Sequence, residues 1–297
     1  MREQNIEKFF AYARAREQIR IDRENGLPRP WTKDKILQTG RFCNVFREDD
    51  KTTRWFAKHV RNPFRGQREL LLATVVFRMF NRMETGEAIF CDDNLDGESS
   101  AFHSFAKSGN TYDMKHAIMH RIGSGPYTTG AYIVSSPPGK KKLDGVLWIL
   151  TNFYKKSGWQ EWVDNDPAAS ECSLEAAWEW LREQDYLGPF HSYEIVTDLR
   201  HTPLLEQAPD INLWANPGPG AKRGLRRLHG ALAYRGLHDE MMSDMRRLLL
   251  LSRESRLWPK AWPRWEMRDV EHTLCEFDKY ERVRLGQGRM KGKFDGR

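Results

Sequence analysis

Cysteine is scarce in this 297-residue chain, and its four cysteines form no Cys-x-x-Cys pair. Such spacing predicts neither a disulfide framework nor a zinc site built from neighbouring thiolates. The sequence also lacks an apolar run of the roughly 18 residues that a membrane span needs, and it opens without a signal-peptide pattern. We therefore expect a soluble, cytoplasmic protein with no membrane partner and no resident metal.

A nucleotide-binding P-loop is missing as well. Glycines cluster in Gly123–Gly130, but this segment lacks the Gly-Lys-Ser/Thr ending with which a P-loop holds phosphates. The segment therefore does not predict a nucleotide site.

Aromatic residues and cations, by contrast, are plentiful. Aromatics make up 12% of the chain, with eleven tryptophans, and the formal net charge is +7. From Gly220 onward 19 Lys and Arg stand against 11 Asp and Glu, whereas the first 219 residues hold 29 against 30. Positive charge concentrated in one part of a chain favours a nucleic-acid partner, although charge runs are also common on solvated surfaces.

Hydrophobic periodicity predicts a mainly α fold with little strand. Glu3–Glu24 has apolar residues at helical spacing and stops at Asn25-Gly26. Within Gln67–Arg82 the run Leu70–Phe77 is apolar nearly all round, as in a central buried helix. A short helix is predicted to begin at Thr32 as its N-cap. Further helices are predicted over Asn110–Arg121, Asp144–Lys155, Leu237–Glu254 and Asp269–Tyr280.

The stretch Trp178–Leu228 predicts a helix-hairpin-helix followed by a glycine-rich turn. Gly188 and Pro189 end one helix and open the next, whose first backbone N–H groups suit a phosphate oxygen. The turn at Asn216–Gly220 begins another helix beside several cations. Short helical hairpins are common in any helical protein, but the pair of features favours DNA. The residues expected to contact it are Gly188, Phe190, Gly218, Gly220, Lys222 and Arg223.

Arg41, Asn44 and Arg47 recur at a spacing of three. In a helix this spacing would place the three donors on one polar face, opposite an apolar face. Such a face could bind a phosphate or a carboxylate, or it could pair with the acidic residues 48–50 at the surface.

Four segments in this order resemble the alpha-glutamyl/putrescinyl thymine pyrophosphorylase family, the bacteriophage amino acid:DNA transferases that hypermodify thymine. The likeness runs over roughly Phe9 to Phe294, and the same helical domain is similar to the one attached to hydroxymethyldeoxyuridine DNA kinases. The segments are Pro30–Leu37, Arg41–Asp50, the hairpin with the turn Gly218–Leu225, and Leu274–Tyr280.

The resemblance implies a helical DNA-glycosylase-like fold. Residues 1–285 would form one catalytic domain, or two helical lobes with the active site between them, and residues 286–297 a basic tail. It further implies a reaction on double-stranded DNA that contains a pyrophosphorylated 5-hydroxymethyluracil. An amino acid or a polyamine would displace the pyrophosphate from the 5-methylene carbon of this base, in the host cytoplasm. Because the chain shows no P-loop, it resembles the transferase and not the kinase.

This reaction needs a base for the amine, cations for the departing pyrophosphate and room for a flipped-out base. Mg²⁺ could accompany the pyrophosphate. The predicted base is Asp198 or Asp210, with Glu271 and Glu276 as alternatives. The predicted ligands of the pyrophosphate or the amino acid are Arg41, Asn44 and Arg47, assisted by Lys279. His191 and His272 are expected to be surface residues or hydrogen-bonded core residues.

Two other functions are compatible with the same residues. A DNA glycosylase would account for the hairpin, but the aspartate that glycosylases carry at the start of the following helix is missing near Asn216–Gly218. A non-catalytic DNA-binding protein would account for the hairpin and the basic tail.

Overall fold

The computed structural model describes residues 1–91, 100–130, 136–230 and 234–289. Over these ranges the chain forms fourteen α-helices and no β-strand, which confirms the predicted mainly α class. Most of the predicted basic tail lies outside the described residues. The helices are α1 Glu3–Glu24, α2 Lys35–Thr39, α3 Lys51–Phe56, α4 Leu70–Phe80, α5 Met83–Phe90, α6 Ala101–Ser108, α7 Tyr112–Ile122, α8 Lys142–Lys156, α9 Trp159–Asp164, α10 Leu174–Arg182, α11 Pro189–Leu199, α12 Pro219–His229, α13 His238–Leu251 and α14 Met267–Arg284.

The chain divides into two compact units. Unit 1 combines Met1–Asp50 with Ile211–Arg297, and unit 2 is the intervening stretch Lys51–Asp210. The predicted hairpin therefore belongs to unit 2, whereas the glycine-rich turn and the segment around Asn44 belong to unit 1. Within the described ranges, no helix combines the length and the apolarity that crossing a bilayer requires.

Unit 1 is built around an aromatic core between α1 and α14. Phe9 of α1 meets Phe10, Trp265 and Phe277 at ring-centroid distances of 5.2, 5.9 and 5.5 Å, all edge to face. Trp258 joins the core through Trp265, at 5.1 Å. Edge-to-face contacts add to the free energy gained by burying these rings.

The short helix α2 begins two residues later than the sequence predicts. Its N-cap is Asp34, whose Oδ1 accepts hydrogen bonds from the N–H groups of Ile36 and Leu37 at 2.8 and 3.1 Å. The predicted cap, Thr32, is wrong, because its hydroxyl oxygen accepts from the Asp34 N–H instead. The Tyr280 hydroxyl donates to the other Asp34 oxygen at 2.5 Å, which ties α2 to α14.

The glycines of the turn at α12 allow two helices to approach each other closely. A Cβ atom on Gly224 would overlap the backbone carbonyl oxygen of Leu274 in α14, and one on Gly220 would overlap the Cys275 sulfur. Both positions have ordinary negative-φ helical backbone, so the absent side chain, and not a special turn, explains the glycines. Gly220, which the sequence predicts to contact DNA, and Gly224 are therefore both needed for α12–α14 packing.

Gly224→Ala should lower the free energy of unfolding of the protein by about 2–3 kcal/mol. The added methyl group meets a backbone atom that no rotamer change can move, so the two helices must separate. Urea unfolding followed by circular dichroism measures the effect. Gly288→Ala is the matched control in the same unit, since a Cβ there has no described atom closer than 4.0 Å. Equal stability of the two variants would contradict the close packing of α12 on α14.

Unit 2 is centred on α4, all of whose residues are buried, as the sequence predicts. Helix α11 packs against both α4 and α10, and every residue from His191 to Leu199 is buried. The turn between these two helices leaves Gly188, Pro189 and Phe190 exposed.

Candidate functional site

The segment that carries Arg41, Asn44 and Arg47 is not helical. Residues 41–46 have no regular structure, and only Arg47–Asp49 forms a short 3-10 turn. Arg41 is exposed, whereas Asn44 and Arg47 are 5% and 8% exposed. The predicted common polar face is therefore wrong, although the predicted binding roles of the three residues stay predictions.

Tertiary hydrogen bonds replace the helix in this segment. The Asn44 backbone N–H donates to Asp50 Oδ1 at 3.0 Å, and its side-chain amide donates to the Asp49 carbonyl at 2.8 Å. Arg16 of α1 donates to Asn44 Oδ1 at 2.7 Å and to the Cys43 carbonyl at 3.0 Å. Asn44 thus uses both ends of its side chain to fix the loop, and Arg16 is a supporting residue that the sequence prediction missed.

Helix α14 brings Glu276 and Lys279 to the same loop. Glu276 Oε2 accepts from the Cys43 backbone N–H at 2.9 Å, and Lys279 Nζ lies 3.0 and 3.2 Å from the two Glu276 oxygens. The Lys279 ammonium also lies 5.0 Å from the centre of the Phe42 ring. Glu276, an alternative base in the prediction, and Lys279, a predicted ligand of the pyrophosphate, therefore lie side by side next to Cys43.

Glu271 lies one turn earlier on α14, facing the start of α12. Its carboxylate accepts a hydrogen bond from the Gly218 backbone N–H at 3.4 Å. Burial raises the pKa of Glu271 to about 7, although this hydrogen bond and the charges of Arg268 and Arg47 oppose the shift. The carboxylate thus occupies the helix N-terminus at which the sequence predicts a phosphate.

Asp50 and His272 complete a partly buried cluster in unit 1. Burial raises the pKa of Asp50 to about 6, opposed by the Asn44 N–H and by Arg47. Burial lowers the pKa of His272 to about 3, helped by nearby Arg47, so the ring is neutral. Asp50, His272 and Cys43 each place one possible metal-ligating atom within 4.8 Å of the others. We call the set Cys43, Arg47, Asp50, Glu271, His272, Glu276 and Lys279 the acid–cation cluster.

Asp198 occupies the core of unit 2. Arg78 of α4 binds both of its oxygens, with Nη2 donating to Oδ1 at 2.7 Å and Nε donating to Oδ2, and the two side chains are 1% and 0% exposed. Arg78 also donates to Asn81 Oδ1 at 2.7 Å. The structure thus places this predicted base candidate in a buried ion pair.

Asp210 lies at the start of α10, also in unit 2. Its two oxygens accept from the N–H groups of Leu174 and Glu175 at 2.7 and 3.0 Å. Together with the N-cap Ser173, it satisfies the free donors of the first turn. This geometry gives Asp210 a capping role, and its role as a base stays a prediction.

The residues predicted to contact DNA fall into two groups. Gly188 and Phe190 lie open at the hairpin of unit 2, with Phe190 48% exposed. Lys222 and Arg223 lie on α12 in unit 1, where Arg223 pairs with the buried Asp278 at 2.7 Å.

A concavity of about 730 Å³ lies on unit 1 between the start of α1, the end of α12 and the last turns of α14. Two buried carboxylates, Asp278 and Glu281, lie beneath it and are paired with arginines of its wall. The sequence predicts the positive charge of the last quarter of the chain, but it does not predict that Arg2 and Lys8, at the start of the chain, add cations to this concavity. We call this concavity the basic groove, and its cations are Arg2, Lys8, Arg223, Arg226, Arg227 and Arg284.

The fold and the site together define a helical protein that carries a partly buried acid–cation cluster and a basic groove in one of its two units. The chain belongs to the family described as "5-hmdU DNA kinase, helical domain", which it matches over residues 3–290. This match confirms the predicted relation to the helical domain of those kinases. Membership in the thymine pyrophosphorylase family stays a prediction.

One curated relative is the 5-hmdU DNA kinase of Bacillus phage SP10. It is 23% identical over 286 residues, which cover 86% of this chain and 41% of the kinase. The chain thus spans about two fifths of the length of this relative. No solved structure matched the chain.

Proposed function

We propose that this protein modifies DNA by transferring an amine, from an amino acid or a polyamine, onto the 5-methylene carbon of a pyrophosphorylated 5-hydroxymethyluracil. The observation that carries the proposal is the acid–cation cluster of unit 1, in which carboxylates suited to proton transfer lie beside cations suited to pyrophosphate. Family membership supports the substrate class, because the phage relative is named for 5-hydroxymethyldeoxyuridine in DNA.

The reaction forms one bond and breaks one. The lone pair of the amine nitrogen attacks the 5-methylene carbon, and the carbon–oxygen bond to pyrophosphate breaks with both electrons leaving on oxygen. The nitrogen then loses a proton to a base. Glu271 is the best-placed base, because its partly exposed carboxylate accepts a single hydrogen bond, from Gly218 N–H, among the described residues. Glu276 is already engaged by Lys279 and the Cys43 N–H, so it positions those groups.

The departing pyrophosphate needs positive charge, and Lys279 is the accessible cation of the cluster. Its side chain is 30% exposed and is held in place by Glu276. Arg47 lies deeper, where its charge acts on Asp50 and Glu271, and its planar guanidinium suits the carboxylate of an amino-acid substrate. Mg²⁺ bound to the pyrophosphate would add to this stabilisation.

The basic groove of unit 1 would bind DNA phosphates, and the hairpin of unit 2 would offer a phosphate contact of its own. We assign α10 and α11 as the helix-hairpin-helix of a glycosylase-like fold, because Gly188 and Phe190 are exposed at the start of α11, where backbone N–H groups can meet a phosphate. The reacting carbon would reach the acid–cation cluster if the base is flipped out of the duplex.

Release of inorganic pyrophosphate tests the proposal. Duplex DNA carrying pyrophosphorylated 5-hydroxymethyluracil is mixed with the protein and with amino acids and putrescine, and free pyrophosphate is measured over time. We expect release that depends on both the protein and an amine, and that Glu271→Gln slows. Release without an amine would indicate hydrolysis, and no release despite DNA binding would favour the alternative below.

Replacing Arg226 by Gln should weaken DNA binding and reduce its salt dependence. Arg226 and Lys8 are exposed cations of the groove that form no ion pair within the described part of the chain. Each phosphate contact contributes about 0.9 to the slope of log K against log salt, so Arg226→Gln or Lys8→Gln should lower that slope by about 1. Fluorescence anisotropy of labelled duplex DNA at several salt concentrations measures it.

Lys35→Gln is the matched control for this experiment, since Lys35 is exposed on α2 of the same unit and does not line the groove. An equal loss of affinity in this control would show a general charge effect and no particular role for the groove.

A non-catalytic DNA-binding role is the second candidate. The groove favours it, and so does the family description, which names a helical domain of a kinase. A DNA glycosylase has less support, because the residues at the start of α12 are Asn216, Pro217 and Gly218, with no aspartate among them.

A further inference from the structure

Three side chains of different chemistry meet in unit 1 although the sequence separates them widely. The Cys43 sulfur, a carboxylate oxygen of Asp50 and a ring nitrogen of His272 lie within 4.8 Å of one another. Thiolate, carboxylate and imidazole are all ligands of Zn²⁺ and of related divalent transition metals. No spacing motif signals this set, because Cys43 and Asp50 lie near the start of the chain and His272 lies in α14.

The three donors are close to the separation that one ion requires. Zn–S and Zn–N distances of about 2.3 and 2.0 Å place the ligands of a tetrahedral zinc roughly 3.3–3.8 Å apart. The donor atoms, at up to 4.8 Å from one another, therefore exceed the ligand separations of a tetrahedral zinc by at most about 1.5 Å. A side-chain rotation can close a gap of this size. The backbone on either side is already fixed, since Glu276 holds the Cys43 N–H and Asp50 Oδ1 holds the Asn44 N–H.

His272 supplies an independent observation. Its Nε2 is buried and has no hydrogen-bond partner among the residues that the structure describes, an arrangement that normally destabilises a protein. The ring is also hydrogen-bonded to the Asn44 backbone. Metal-ligating histidines are oriented in the same way, with one nitrogen on a backbone carbonyl and the other on the ion.

We propose that Cys43, Asp50 and His272 bind one divalent transition-metal ion, with Zn²⁺ the best fit to this donor set. Three protein ligands leave a fourth position open for water or a substrate oxygen. The neighbouring cations Arg47 and Lys279 oppose a second positive centre, but Glu271 and Glu276 offset them. Metal binding itself does not depend on the proposed transfer reaction. A role for the ion in polarising the leaving pyrophosphate rests on that proposed function.

Co²⁺ is the probe for the test, because a Co²⁺–thiolate bond gives a charge-transfer band in the near ultraviolet. The full chain, stripped of metal with a chelator, is titrated with Co²⁺ and then with Zn²⁺. We expect saturation at one Co²⁺ per chain, loss of the band on adding Zn²⁺, no band in Cys43→Ser, and about 10-fold or greater weakening in His272→Asn. Circular dichroism melting confirms that each variant is folded.

Cys275→Ser is the matched control, since Cys275 lies on the same helix as His272 but outside the donor set, and its band should match that of the parent. Absence of a thiolate band in the parent, or an undiminished band in Cys43→Ser, would overturn the proposal. The outcome is separable from that of the proposed function: pyrophosphate release from a chain that binds no Co²⁺ or Zn²⁺ refutes the metal site alone. A metal-loaded chain without release refutes the transferase alone.

Discussion

Lys279→Met is expected to slow amine transfer by about 100- to 1,000-fold, the usual effect of removing one group that stabilises charge in the transition state. Methionine keeps the length and most of the packing of the lysine side chain but has no charge to offset the departing pyrophosphate. The Lys279–Glu276 pair is partly exposed, so its loss should change the free energy of unfolding by less than about 1 kcal/mol. Single-turnover formation of the modified nucleoside measures the rate.

Arg282→Met is the control for this prediction. Arg282 lies three residues further along α14 and also pairs with a buried carboxylate, that of Asp278 at 3.5 Å, but it is not part of the acid–cation cluster. We expect its transfer rate to stay near that of the parent. A Lys279→Met rate within about 3-fold of the parent would remove Lys279 from the proposed mechanism, since a contribution that small is well below the usual effect of a charge-stabilising group.

Asp198→Ala should destabilise the protein by about 3–5 kcal/mol, the largest stability effect that we predict. The change leaves the Arg78 guanidinium buried in unit 2 without the carboxylate that binds it through two nitrogens. Replacing both partners, as in Arg78→Met with Asp198→Leu, should recover most of the loss, because neither charge is then buried alone. Urea unfolding of the three variants and the parent measures these differences.

This experiment also separates the two roles of Asp198. If Asp198→Ala unfolds like the parent but transfers no amine, then Asp198 acts as the base, as the sequence first suggested. If the variant loses stability, and the double variant regains both stability and transfer, the residue is structural and the base lies in unit 1.

Local patterns in the sequence were enough to predict most of the helices. Helix α1 was predicted with its observed bounds, because its apolar spacing and its Asn25-Gly26 end are both local signals. The buried helix α4 was predicted for the same reason. The short helix α2 was predicted with the wrong cap, because Thr32 and Asp34 are both good caps and tertiary contacts decide between them.

The site could be predicted only in part, because its geometry depends on contacts between distant segments. The spacing of Arg41, Asn44 and Arg47 suggested a helical face, but hydrogen bonds from Arg16 and to Asp50 hold that segment in an irregular conformation. Asp198 looked available as a base because its partner Arg78 lies 120 residues away in the sequence. Gly220 was predicted to contact DNA, and the structure shows that it and Gly224 make room for α14. Contact of Gly220 with DNA stays a prediction.

The position of the residues predicted on the last helix was confirmed. The sequence predicts a helix over Asp269–Tyr280 that carries Glu271, Glu276 and Lys279, and all three do lie on α14. Their roles as base and as phosphate ligand stay predictions until activity is measured.

Mass spectrometry of the nucleosides tests the central claim most directly. DNA carrying pyrophosphorylated 5-hydroxymethyluracil is incubated with the protein, amino acids and putrescine, and is then digested to nucleosides. We expect a new nucleoside with the mass of thymidine plus one amine substituent, formed by the parent and formed more slowly by Glu271→Gln. Unchanged nucleosides from DNA that the protein binds would contradict it, and abasic sites would show a glycosylase instead.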